Sequence, residues 1–170
     1  FTQIALGVVC LFANVANAQV TENFNGTLPT CYLIENSTIE DGAVLLPNNT
    51  TSTGVDIPVH IQTPYFNFTT TTASVTFSYT FGSNINGNKS RTFRLGTVNQ
   101  NGVISYSSNL TYGNSSNVSF IDIKNNSLSG TITVTFPVQL GTQRIIISYA
   151  GDGGKARGTF DNLSVNSNYY

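Results

Sequence analysis

The chain has 170 residues and a formal net charge of −1, with 9% of residues charged and 39% hydrophobic. That length suits one domain around a single core, and seven scattered basic residues exclude the electrostatic footprint of a nucleic-acid or anionic-membrane binder. Abundant aromatic and β-branched residues exclude a disordered chain, although Asn, Ser and Thr together supply 61 of the residues.

The first predicted element is a leader. From Ile4 to Phe12 no side chain is polar, which suits the apolar stretch of a signal peptide and is too short to span a bilayer as a helix. Ala16-Asn17-Ala18 offers a small-x-small cleavage site, so residues 1–18 are predicted to be a signal peptide and 19–170 one exported domain. No later segment approaches a membrane span. Cys10 leaves with the leader, and Val8 and Val9 before it lack the small residue of a lipidation site. Cys31 is then expected to stand without an intrachain partner, as a small buried hydrophobe.

The strands follow in order. Cys31–Ile34, Ala43–Leu46 and Ile57–Ile61 are short candidates. Ala73-Ser-Val-Thr-Phe-Ser-Tyr-Thr-Phe81 places an apolar residue at every odd position and Ser or Thr between, the period of two that marks a strand with one buried and one wet face. Thr92–Val98, Val103–Tyr106 and Val118–Ile123 come next. Thr131–Phe136 repeats the alternation, Gln143–Tyr149 reads as a central strand, and Thr159–Val165 closes the series. Asn25-Gly26, Asn86-Gly87, Asn101-Gly102, Tyr112-Gly113-Asn114 and Gly151–Gly154 punctuate them with the residues that tolerate positive φ in tight turns. No window carries helical periodicity. The expected fold is all-β: a two-sheet antiparallel sandwich with Val75, Phe77, Tyr79, Phe81, Ile132, Val134, Phe136, Ile145, Ile147 and Phe160 in its core.

Near the two ends the sequence reads Thr21-Glu-Asn-Phe-Asn-Gly-Thr-Leu-Pro-Thr-Cys-Tyr32 and Lys155-Ala-Arg-Gly-Thr-Phe-Asp-Asn-Leu-Ser-Val165. This pairing resembles the jelly-roll domains of bacterial type IX-secreted surface proteins, which are similar to MAM-like, cleaved-adhesin and carbohydrate-binding modules. The resemblance implies a jelly roll whose first and last strands lie side by side, with Phe24 and Phe160 in one core layer. It also implies a structural Ca²⁺ near both ends, with Glu22 and Asp161 at the matching positions. Asn23 and Asn25 stand where such domains often carry carboxylates, which lowers the charge of that site, and Asp161 serves equally well by hydrogen-bonding a turn.

Catalytic chemistry finds little footing. A glycosidase of this fold needs two carboxylates, and one strand presents both to one cleft only when they are two or four residues apart. No pair among Glu22, Glu35, Glu40, Asp41, Asp56, Asp122, Asp152 and Asp161 has that spacing. There is no G-x-S-x-G elbow, and the single histidine, His60, sits between Val59 and Ile61 in a predicted strand, where a structural role is expected. Sugar binding needs exposed aromatic faces, and Tyr65, Phe66, Tyr106 and Tyr112 are the aromatics placed nearest to loops or strand ends. The expectation is a non-catalytic carbohydrate-binding or adhesion module, secreted or at the cell surface and monomeric within a larger protein. Its partner is a polysaccharide or surface glycan, not nucleic acid or a membrane interior. The alternative is a purely structural spacer.

Overall fold

A computed structural model of the chain describes residues 19–25, 31–47, 58–82, 91–123, 127–151 and 157–166. The expected leader, the Asn86-Gly87 turn and the start of the Ile57–Ile61 strand lie outside these residues. Fourteen strands are described: β1 Gln19–Glu22, β2 Leu33–Glu35, β3 Ile39–Glu40, β4 Ala43–Leu46, β5 Val59–Phe68, β6 Thr72–Phe81, β7 Arg91–Asn99, β8 Ile104–Tyr106, β9 Leu110–Tyr112, β10 Ser115–Val118, β11 Ile121–Asp122, β12 Ser129–Pro137, β13 Gly141–Gly151 and β14 Gly158–Asn166. All pairings are antiparallel. One sheet runs β10-β9-β12-β6-β14-β4-β3, with β1 also on β14; the other runs β11-β7-β13-β5-β2, with β8 also on β7. Among the described residues there is no helix, and so none long and apolar enough to cross a membrane.

The expected sandwich is what forms. Alternation along β6 turns Val75, Phe77, Tyr79 and Phe81 inward, and Phe77 stacks on Phe160 of β14 at 5.0 Å between ring centroids. Across the interior Phe77 meets Phe93 of β7 at 5.0 Å, and Phe93 meets Tyr149 of β13 at 5.1 Å, so aromatic rings join the two sheets. All ten expected core residues lie in this interior; Ile132 alone among them is half-buried, packed against the cluster. Phe24 and Phe160 share a layer as expected, 6.1 Å apart, with β1 paired to β14 beside them.

Three differences carry physical reasons. Strand β5 runs on to Phe68, past the expected end at Ile61, by means of a bulge at Thr63-Pro64: Tyr65 pairs with Arg144 but Gln62 pairs with Ile146. Proline supplies no ladder donor, and the Ile145 N–H at the irregularity donates to Thr63 Oγ1 at 2.9 Å. The second difference is Arg91, fully buried with its guanidinium 4.2 Å above the Phe81 ring. Burial lowers its pKa and raises that of the Tyr149 phenol, while attraction between the two opposes both shifts. Third, Cys31 is half-buried and disulfide-bonded, which corrects the expectation of a lone thiol; Cys10 lies outside the described residues.

Phe77 touches both halves of the aromatic layer, so truncation to Ala leaves a cavity the sandwich cannot refill. Urea unfolding of Phe77→Ala should show a loss of about 3–5 kcal/mol; a loss below about 1 kcal/mol would place the ring outside the core.

Candidate functional site

With the inner faces filled, the outer face of the six-stranded sheet carries the unusual chemistry. Directly opposed residues in an antiparallel ladder share a face. Glu35 opposes His60, His60 opposes Ser148 and Ser148 opposes Arg94, so β2, β5, β13 and β7 contribute one polar row. His60 Nδ1 lies 3.1 Å from Glu35 Oε2 and its Nε2 3.3 Å from the Tyr106 hydroxyl; with a proton on Nδ1, the ring donates to the carboxylate and Nε2 accepts from the phenol. The Arg94 guanidinium lies over the Tyr106 ring, 4.4 Å from its centroid.

Tyr106 reaches this row because β8 folds closely onto β7. Tyr106 opposes Gly96, where any Cβ would collide with the Ser105 carbonyl oxygen and the Tyr106 backbone. Glycine at 96 is therefore a condition for the approach. The hairpin joining the strands is held by Asn99, whose Oδ1 accepts from the N–H groups of Asn101 and Val103 at 2.9 and 3.0 Å, and by Gly102 at φ 78°. The expected Asn101-Gly102 turn thus positions a site residue.

Two open clefts flank β8. One, of about 490 Å³, is lined by His60, Thr92, Arg94, Ile104, Tyr106 and Ser148 among others. The second, of about 300 Å³, is lined by Asn99, Ser105, Tyr106, Ser107, Asn109 and Gln143 among others. Tyr106 walls both, and the second cleft mixes amide and hydroxyl side chains with the apolar Val103, Pro137 and Val138.

The other expected site residues are dispersed. Tyr65 lies on the same outer face, its ring under the Arg144 guanidinium at 4.4 Å. Phe66 is corrected: it is a core residue, 4% exposed and packed edge-on to Phe68 at 5.9 Å, because the bulge shifts the alternation and turns it inward. Tyr112 belongs to the other sheet, half-buried against the core at the β9–β10 hairpin. His60, expected to be structural, is the centre of the polar row. What hid it is register: Glu35 and Tyr106 stand 25 and 46 residues away.

Glu22 and Asp161 are not brought together. Glu22 opposes Leu163, a core residue, and Asp161 opposes Ser78, whose hydroxyl meets Thr131 on the outer face. The bulge at Asn162, φ 52°, reverses the facing between them. Each carboxylate accepts a local backbone N–H, Glu22 from Phe24 at 2.7 Å and Asp161 from Asn162 at 2.6 Å. Ca²⁺ needs about six to eight oxygens. Among the described residues no three His, Cys, Asp or Glu gather closely enough to hold a metal.

No protein-family model and no curated protein matches the chain. Solved structures do. The chain is similar to the CBM22-1 xylan-binding domain of Xyn10C from Paenibacillus barcinonensis, with TM-score 0.53 and 9% identity over 93% of this chain and 99% of that one. It is similar to the carbohydrate recognition domain of Emp47p, with TM-score 0.53 and 11% identity over 90% and 97%. The C-terminal CBM6 of LamC, a laminarinase of the marine Zobellia galactanivorans, gives TM-score 0.51 and 10% identity over 88% and 100%. At these identities the likeness shows the fold, the β-sandwich scaffold that carbohydrate-binding modules use.

Thermal melts in millimolar Ca²⁺ and in EDTA test the end motifs. The geometry of the described residues predicts coincident curves. A Ca²⁺-dependent rise that Asp161→Ala abolishes would show a shared site after all.

Proposed function

We propose that the chain is a non-catalytic extracellular module that binds an extended polysaccharide on the outer face of the six-stranded sheet. The observation that carries this reading is Tyr106. It is an aromatic ring held by Arg94 and His60 at the wall between two open clefts, so a ligand crossing β8 meets a ring, a planar cation, an imidazole and many uncharged donors and acceptors. Neutral hydroxyls of a sugar are matched by such amide and hydroxyl linings, and apolar ring faces by aromatic side chains. The scaffold's likeness to xylan-binding and carbohydrate-recognition domains supports the same reading.

Among the described residues, the placement of acids on this face supports a binding role over hydrolysis. Glu35 on β2 and Asp122 on β11 border this face at opposite edges of the sheet. Four strand spacings of ~4.8 Å set their backbones about 19 Å apart. A glycosidase pair stands within about 5–10 Å. His60 Nε2 meets a phenol, and its Nδ1 partner Glu35 is more than half exposed.

Tyr106→Ala should weaken binding to soluble polysaccharide, per folded molecule, by about tenfold, the ~1.4 kcal/mol of one lost ring contact. Tyr112→Ala should lower the melt and leave affinity per folded molecule unchanged. Affinity electrophoresis beside thermal melts separates the two. A blank panel at high protein concentration would instead favour the spacer, and release of reducing or unsaturated sugar ends would overturn the non-catalytic reading.

A further inference from the structure

The polar row is electrically lopsided. Glu35 and Arg94 sit at its two ends, three strand spacings or about 14 Å apart at the backbone. Glu35 is already hydrogen-bonded to His60. Arg94 is exposed, and among the described residues no carboxylate lies within ion-pair distance of it. Asp122, opposite Thr92 on β11, is the nearest described acid by register. Arg144 shows the contrast: it too lies over a tyrosine, Tyr65, but its Nη1 donates to the carbonyls of Cys31 and Thr63, so it staples backbone.

A guanidinium is a rigid fork of N–H donors matched to an oxyanion, and Arg94, exposed with its centre over the Tyr106 ring, makes no described side-chain hydrogen bond that would occupy that fork. The Arg94 stack thus resembles one half of a recognition pair whose other half is absent from the described protein. We infer that the larger cleft selects sugars bearing an oxyanion, a uronate carboxylate or a sulfate ester, seated on Arg94 at the Tyr106 end. Hydroxyl groups of the neighbouring sugar then face the Glu35–His60 end, where an acceptor carboxylate and an imidazole are already paired. This inference rests on the reading of that face as a glycan site, and it adds the chemical class of the ligand.

The test is a binding panel with the full chain: polygalacturonate and alginate as polyuronates, a sulfated galactan, and neutral xylan and β-glucan. At least one anionic class should bind about tenfold or more tightly than the neutral polymers, and its affinity alone should fall as salt rises. Whether the polyuronate or the sulfated arm responds identifies the oxyanion. Arg94→Met should erase the preference with the melt unchanged, and Arg94→Lys, which keeps the charge but loses the fork, should restore only part of it. Neutral polymers binding as tightly as anionic ones, with Arg94→Met harmless, would overturn the inference and leave the glycan-binding reading standing. No binding to any polymer would overturn both.

Discussion

Everything in this molecule depends on five aromatic rings that hold two sheets face to face. Phe24, Phe160 and Phe77 come from one side of the interior, and Phe93 and Tyr149 from the other, in a run of contacts of 5.0–6.1 Å. Such pairs add directional attraction to a large burial of apolar area. Because β6 and β7 pair in different sheets, these rings tie together two sheets that have no described strand in common. The tie also consumes both inner faces, so the chain's chemistry can only be presented outward or at the ends.

Outward, two local irregularities shape the presentation. The Thr63-Pro64 bulge lets β5 show His60 and Gln62 on one side of it and Tyr65 on the other, all facing the same way as Ser148 and Arg144. Gly96 lets β8 fold onto β7, so that Tyr106 covers the middle of the face and Ile146 beneath becomes fully buried without joining the main core. The face thus acquires relief, and the relief is where hydrogen-bonding and cationic groups converge.

The sequence made the fold legible wherever alternation was unbroken. In β6 the odd residues from Ala73 to Phe81 are all buried, and the end motifs led to the Phe24–Phe160 contact. Alternation assigns faces, however, and not neighbours. Glu35, His60, Ser148 and Arg94 form a row only once four strands take their register, which no local pattern states. Phe66 was misplaced for a different reason. Unbroken alternation from His60 would point it outward, and the bulge shifts the phase by one; Pro64, inside a strand pattern, was the available signal. Arg91 gave none, since a buried cation on the interior end of a strand reads in sequence like any surface arginine.

The central claim is that the outer face of the six-stranded sheet is the working face. Its most direct test is a nuclear magnetic resonance titration of the isotopically labelled chain with short xylan and polygalacturonate oligosaccharides. The account predicts that the shifts concentrate at His60, Arg94, Tyr106 and Ser148, with the β9–β10 hairpin silent. Shifts confined to that hairpin, or spread over the opposite sheet with these four residues unmoved, would contradict it.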